Sequence, residues 1–276
     1  MQPEPGHTRL RMTETYLDRI LAAKRAELAG ASPTRSSALS DRELAELGQR
    51  LPRPRDFIAA LRAGPLPSII AEFKRASPSA GPIREDADPR HIATLYAAGG
   101  ATCMSVLTDR HFLGSYDDLR VVRQTVTLPL LCKDFILERT QIVEAKRVGA
   151  DCVLLIAAAL PPPQLRGLLE FAHLLDMQVL CECHDEHEID RALAAGARLI
   201  GVNSRDLHTF EVDPDRCARL RKHVPPNFTY VAESGVSSPD DATRLQDAGV
   251  DAILIGSYLM KAANPGEALR QLILHL

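Results

Sequence analysis

An acid and an amine stand two residues apart at the end of the apolar run that opens segment Ile69–Gly81, IIAEFKRASPSAG. The run is typical of a buried β-strand, and residues two apart in a strand point to the same face. Glu72 and Lys74 are therefore aimed at one place, as acid–base catalysis at the mouth of a barrel requires. The Ser-, Pro- and Gly-rich loop Ser77–Gly81 follows, and its composition predicts a lid that closes on binding.

Polar residues also follow the later apolar runs. They are Lys133 in LLCKDF, Glu182 in VLCECH, Asn203 and Arg205 in IGVNSRDL, Glu233, Ser234 and Gly235 in VAESGV, and Gly256 and Ser257 in ILIGS. Random surface charges would not prefer one end of the strands, whereas barrel active sites are built at the C-terminal ends. The ESG and IGS turns predict phosphate binding through backbone N–H groups, with two ordinary tight turns as the alternative.

The charged residues also have a simpler interpretation. Lys74 and Lys133 could be solvated loop lysines, and Glu182 could be an exposed carboxylate on the rim. Against this, Lys133 directly follows an apolar run, where a barrel buries the lysine stem and can shift the pKa of its amine. Strand alternation places Glu182 opposite Cys181 and Cys183, so it faces the mouth if the cysteines face the helices.

The segment after Glu182 allows a second interpretation, a metal site. Its ligands would be Cys181, Cys183, His184 and His187. No second Cys/His pair has zinc-like spacing, which argues against that site. Asp185 and Glu188 instead predict the start of a helix with a capping box.

Short apolar runs alternate with longer amphipathic stretches from Leu66 onward. The predicted strands are Ser68–Phe73, Thr102–Thr108, Leu128–Cys132, Cys152–Ile156, Gln178–Cys183, Leu199–Val202, Tyr230–Ala232 and Ala252–Ile255. The predicted helices are Arg90–Ala98, Tyr116–Thr125, Glu138–Val148, Pro163–Leu175, Glu186–Ala195, Pro214–Lys222, Asp240–Ala248 and Pro265–Leu274. Eight such units predict an α/β fold, a (β/α)8 TIM barrel. A doubly wound open sheet, the alternative, would usually show a GxGxxG loop after its first strand.

Residues 1–66 predict an N-terminal helical extension packed on a catalytic barrel of residues 67–276, a single domain overall. Its predicted helices are Thr13–Ala29, Ser40–Leu47, which opens with the Ser40/Glu43 capping pattern, and Arg55–Arg62. No chemical role is predicted for this part. Glycines after four barrel helices suit left-handed C-caps and indicate tight turns at the opposite face of the barrel.

The composition excludes some classes of protein. The net charge of −3 provides no global positive field for nucleic acid or a membrane surface. The six cysteines mostly lie in apolar runs, which is typical of buried thiols in a reducing compartment. No secretory signal or spanning apolar run is visible, so we expect a cytoplasmic protein.

Together these segments closely resemble the indole-3-glycerol-phosphate synthase family of tryptophan biosynthesis. The resemblance covers Ser68–Ile273, and residues 1–66 are similar to the family's helical extension. It is carried by IIAEFKRASPSAGPI, MSVLTDRHFLGS, LLCKDFI, QIVEAKRVGADCVLLI, CECHDEHE, GVNSRDL, VAESGV and ILIGSYLM. Small departures are Cys132, Ser204, and the two cysteines that flank Glu182; none removes a proposed catalytic group.

The resemblance implies a carboxy-lyase that uses neither cofactor nor metal. Its small-molecule substrate, 1-(2-carboxyphenylamino)-1-deoxyribulose 5-phosphate, closes to an indole ring with loss of CO₂ and water. Lys133 matches the general acid of the family and Glu182 its second acid–base residue, while Glu72 and Lys74 match the pair on the first strand. Which lysine acts at which step stays open, as does contact with other tryptophan-pathway enzymes.

The resemblance also implies binding roles. Asn203 matches a catalytic amide beside Arg205, and Glu233 a carboxylate on the seventh strand. Ser77 matches a residue near the anthranilate carboxylate, and Phe112 and Phe135 match aromatic walls, although both could simply pack the barrel. The matched phosphate cradle consists of Ser234, Gly235, Gly256 and Ser257.

Three other functions compete with this one. A phosphoribosylanthranilate isomerase would rely on a Cys/Asp or Asp/Asp pair, whereas two Lys and two Glu dominate here. A Schiff-base aldolase would use Lys133 or Lys74 as its nucleophile. A barrel retained only for binding would have lost catalytic groups, yet all the expected groups are present.

Overall fold

A closed barrel of eight parallel strands forms the centre of the protein. The computed structural model describes residues 15–30, 39–64, 66–77, 81–206 and 209–276. The barrel strands, β1 to β8 in chain order, are Ser68–Phe73, Cys103–Leu107, Leu130–Lys133, Cys152–Ile156, Gln178–Cys183, Leu199–Asn203, Thr229–Glu233 and Ala252–Ile255. Each strand pairs with the next, and β8 pairs with β1. The (β/α)8 barrel is confirmed, and the open sheet is excluded.

Helices precede the barrel and follow its strands. They are, from α1 to α12, Tyr16–Gly30, Asp41–Gln49, Phe57–Arg62, Pro89–Gly99, Tyr116–Thr125, Arg139–Val148, Pro162–Leu174, Glu186–Ala195, Arg216–Leu220, Pro239–Asp247, Ser257–Lys261 and Pro265–His275. After β1 the chain forms a small antiparallel hairpin of Ala76–Ser77 with Gly81–Pro82. Residues 78–80, the middle of the predicted lid, lie outside the described residues.

Most predicted strand bounds agree with the structure to within one or two residues, and four agree fully. The predicted strand Leu128–Cys132 begins late, at Leu130, because Pro129 has no N–H to donate to a ladder. The predicted helix Pro214–Lys222 is also shorter. It consists of α9 and a 3₁₀ turn over Arg221–His223.

The N-terminal helices contact the barrel at different levels. The predicted capping box of α2 is confirmed: the Ser40 side chain accepts from the Glu43 N–H, and the Glu43 carboxylate accepts from the Ser40 N–H. Helix α2 lies against α6 and α7. Helix α3 lies below the strands, where Phe57 and Leu61 are fully buried and the Ser68 hydroxyl donates to the Leu61 carbonyl at 2.7 Å.

Apolar side chains from the strands and from the inner faces of the helices form one continuous core. Four of the connections from helix to strand pass through glycines with positive φ, at Gly100, Gly149, Gly196 and Gly249. These left-handed residues end the helices as predicted and turn the chain into the next strand. Within the described ranges, no helix is long and apolar enough to cross a membrane.

The crossing of α4 and α12 depends on two glycines in contact. A Cβ atom added at Gly99 would lie 2.6 Å from the Gly266 carbonyl oxygen. We expect Gly99→Ala to lower the free energy of unfolding by about 1–3 kcal/mol, since one helix must move away from the other. Urea denaturation measures this change. Gly30→Ala, where a Cβ meets nothing within 4 Å, is the control, and equal effects of the two substitutions would contradict the close-contact explanation.

Candidate active site

Lys133 is the central charge of the mouth. At the end of β3, its Nζ lies 3.1 Å from Oε2 of Glu182 on β5 and 2.5 Å from Oε2 of Glu233 on β7. Both carboxylates are almost fully buried, and the lysine side chain is 16% exposed. The interpretations as a solvated lysine and an exposed rim carboxylate are therefore wrong for Lys133 and Glu182.

Burial and opposite charge compete at these three groups. Burial disfavours the charged amine of Lys133, but Glu233, Glu182 and Glu72 outweigh it and raise the lysine pKa above its ordinary value. Burial likewise opposes ionisation of Glu182, yet Lys133 lowers its pKa overall. At Glu233, burial exceeds the effect of Lys133, and with the charge of Glu182 it raises the pKa to about 7. The ammonium of Lys133 thus lowers the pKa of Glu182 below its ordinary value but does not offset the effect of burial on the pKa of Glu233.

The second lysine has its own partner on the first strand. Lys74 Nζ lies 2.7 Å from Oε2 of Glu72, so the expected juxtaposition is present. Space for this pair comes from Gly256 after β8, where a Cβ atom would lie 2.2 Å from the same carboxylate oxygen. A side chain at that position would displace the pair.

Asn203 orients the carboxylate of Glu182. Its Nδ2 donates to Glu182 Oε1 at 3.2 Å, while its own Oδ1 accepts from the backbone N–H of Arg205. The Arg205 guanidinium donates to the carbonyl of Phe210 at 3.0 Å. Both oxygens of Glu182 therefore have partners, Asn203 on one and Lys133 on the other.

The mouth encloses a cavity of about 390 Å³ with an aromatic side. The rings of Phe112 and Phe135 stack with centroids 6.4 Å apart and an interplanar angle of 26°. Two polar turns also line the cavity. After β7, Ser234 and Gly235 both have positive φ, and after β8, Ser257 begins the short helix α11.

The cavity brings together all the residues predicted for the site. Its lining includes Glu72, Lys74, Ser77, Phe112, Lys133, Phe135, Glu182, Asn203, Arg205, Glu233, Ser234, Gly235, Gly256 and Ser257. Their common location is a finding, whereas their individual roles remain predictions.

Some lining residues had escaped sequence reasoning. Asp109, Asp134 and Phe210 also line the cavity, and Lys24 of helix α1 contacts both aspartates. A signal was present, because Lys24 continues the apolar spacing of Leu17, Ile20 and Leu21. A lysine on the buried face of a helix needs a partner charge.

The segment after Glu182 starts a helix, as predicted, but without a complete capping box. Asp185 accepts from the Glu188 N–H, while the Glu188 carboxylate accepts from the N–H of His184 and lies 3.1 Å from its Nδ1. The His184 ring lies between Glu188 and Glu182, and these nearby negative charges raise the pKa of His184 despite its burial. Among the described residues, no group of His, Cys, Asp and Glu side chains is arranged to hold a metal ion.

The fold and the cavity define a barrel enzyme with acid–base groups at the C-terminal mouth. Comparison of sequences is more specific: the model of the family described as indole-3-glycerol phosphate synthase matches residues 17–272. The chain belongs to this family.

Relatives of the same description cover nearly the whole chain. The indole-3-glycerol phosphate synthase of Mycolicibacterium vanbaalenii is 48% identical over 260 residues, which are 94% of this chain and 94% of the relative. That of a Polaromonas species is 46% identical, covering 93% of this chain and 97% of the relative.

Similar solved structures support the fold alone. Thiamine phosphate pyrophosphorylase of Pyrococcus furiosus has a TM-score of 0.57 at 20% identity, covering 76% of this chain and 95% of its own. KGPDC of Streptococcus mutans, solved with D-R5P, has a TM-score of 0.59 at 13% identity, covering 76% of this chain and 97% of its own.

The raised pKa of Glu233 has a consequence for stability. When the pKa of an acid is higher in the folded than in the unfolded state, the protein loses stability as the pH rises through the folded-state pKa. For Glu233 this pKa is about 7. From pH 5 to pH 8, the stability of Glu233→Gln relative to wild type should therefore increase, on the order of 2 kcal/mol. Urea denaturation at both pH values measures the difference.

Glu170→Gln, at an exposed helix position, serves as the control for removing a glutamate. A stability difference between wild type and Glu233→Gln that stays constant with pH would show that Glu233 ionises equally easily in both states.

Proposed function

We propose that the cavity at the barrel mouth performs the ring closure of the indole-3-glycerol phosphate synthase family, with Lys133 as its general acid. The substrate 1-(2-carboxyphenylamino)-1-deoxyribulose 5-phosphate loses CO₂ and water in this reaction. The observation that carries the assignment is the position of the Lys133 ammonium between Glu182 and Glu233.

The first step needs a proton donor at the C2 carbonyl of the ribulose. The ring carbon that bears the carboxylate attacks C2, and the carbonyl oxygen must become a hydroxyl. Lys133 is kept charged by its carboxylate neighbours and can donate that proton. Loss of CO₂ then returns an electron pair to the ring and restores its aromatic character.

The second step needs an acid and a base. The new hydroxyl leaves as water, and a proton is removed as the indole forms. Glu182 is assigned to this proton transfer because Lys133 and Asn203 hold its two oxygens in fixed directions. The Glu72–Lys74 pair supplies a second ammonium for a substrate hydroxyl or anionic group.

The remaining lining residues are assigned to binding. The stacked pair Phe112 and Phe135 forms the wall for the anthranilate ring, with Ser77 near its carboxylate. Arg205 contributes a local positive charge, which an anionic substrate requires in a chain of net charge −3. The phosphate is assigned to the backbone N–H groups of the two turns after β7 and β8, at Ser234, Gly235, Gly256 and Ser257.

A cytoplasmic location belongs to the same proposal. All six cysteines are buried and unpaired, as expected for a chain that works in a reducing compartment.

The decisive experiment follows indole fluorescence after the substrate is mixed with purified protein in the presence of EDTA. The chain has no Trp, so the background is low. We expect Lys133→Ala to reduce the rate by about 10²- to 10⁴-fold, because a positioned general acid is lost. The control is Lys222→Ala, at an exposed lysine, which should retain the wild-type rate.

Lys133→Ala also leaves two buried carboxylates without their cation, so the double variant Lys133→Ala/Glu233→Gln tests the same loss with less destabilisation. Equal rates in wild type and both variants would assign the acid role to Lys74. No signal from well-folded wild type would refute the synthase. Trapping of a covalent adduct by borohydride would support the Schiff-base aldolase instead.

A further inference from the structure

A buried lysine of the N-terminal extension joins two loops of the barrel mouth. The Nζ of Lys24 lies 2.6 Å from Oδ2 of Asp109, after β2, and 2.8 Å from Oδ1 of Asp134, after β3. All three side chains are at most 4% exposed. A charge held so far from water must be bound firmly by its partners.

Each aspartate holds one of the two stacked aromatic residues. Asp109 caps the short turn Arg110–Phe112 by accepting from the backbone N–H of His111. Asp134 accepts from the backbone N–H of Phe135 at 2.7 Å. Lys24 therefore links the two loops that carry the rings.

Packing of the buried face of helix α1 does not by itself require a charged residue at position 24. Lys24 shares the face with Leu17, Ile20 and Leu21, and an apolar residue would continue it. At the first residue of the same helix, Tyr16 packs edge-on against Phe210 of the cavity lining, with ring centroids 4.4 Å apart. Helix α1 thus contacts the mouth at two places.

We infer that Lys24 is a positioning residue that sets the relative position of Phe112 and Phe135, the stacked wall for the aromatic ring of the substrate. We call the cluster of Lys24, Asp109 and Asp134 the clamp, because it joins the loops that carry the two aromatic residues. The inference rests on the proposed function for the identity of the ring. It assigns the N-terminal extension a part in recognising the anthranilate portion, separate from the phosphate and from the acid–base groups.

Lys24→Met tests the clamp, since it keeps the length of the side chain and removes its charge. We expect the KM for the substrate to rise about tenfold, equal to the loss of one aromatic contact, with kcat within about twofold of wild type. The inhibition constant of ribulose 5-phosphate, which has no aromatic ring, should stay at its wild-type value.

The matched control is Lys146→Met. Lys146 is also a buried lysine, but it donates to the Leu175 carbonyl at 2.7 Å, away from the cavity lining. The Lys146→Met variant should be less stable than wild type and keep the wild-type KM. An unchanged KM in Lys24→Met would overturn the clamp, as would a parallel rise for ribulose 5-phosphate or an equal rise in Lys146→Met.

If Lys24→Met does not fold, the variant Lys24→Met/Asp109→Asn/Asp134→Asn removes the cluster without leaving a buried charge unpaired. The clamp predicts a raised KM there too, and a wild-type KM would refute it. Turnover by wild type in the same assay tests the proposed function separately, so the two ideas can fail independently.

Discussion

The ion pairs of Lys133 are the interaction on which the site depends. Taking a lysine and two glutamates out of water costs free energy, which close attraction between them must offset. Here the attraction is sufficient to keep the amine charged and one carboxylate ionised, while burial leaves the other, Glu233, with a pKa of about 7. The cluster therefore places a carboxyl with a pKa of about 7 beside a charged amine, and both groups are largely shielded from water.

The closed barrel makes such a cluster possible. Glu72, Lys133, Glu182 and Glu233 come from β1, β3, β5 and β7, and side chains from alternate strands share one layer inside a barrel. Glycines on β6 and directly after β8 leave room for two of the carboxylates. A Cβ atom at Gly201 on β6 would lie 2.2 Å from Oε1 of Glu233, so glycine is required beside the buried carboxylate.

The barrel and the residues of its mouth could be predicted from the sequence because both depend on local patterns. Apolar runs locate the strands, and a polar residue directly after such a run, as at Lys133, must lie at the strand's end. The contacts that could not be predicted from the sequence share a different cause. The pairing of Lys24 with Asp109 and Asp134 joins segments separated by some 85 and 110 residues, and no local pattern shows it. Likewise, Glu188 has a competing backbone partner in His184, which the capping pattern did not indicate.

The proposed functions of the site depend on two kinds of structure, the strand ladders of the barrel and the long-range contacts of Lys24. Proton transfer, the role proposed for Lys133 and Glu182, tolerates little misplacement, and both residues lie on strands whose ladders fix them in place. Binding of a flat ring instead needs a wall of fixed shape, and Phe112 and Phe135 lie on loops beyond the ends of β2 and β3. The buried lysine of α1 joins them, which gives a physical reason for a helix outside the barrel to reach its catalytic face. Under the proposed role of Lys24, helix α1 contributes to stability through its apolar side chains and to recognition through the buried charge of Lys24.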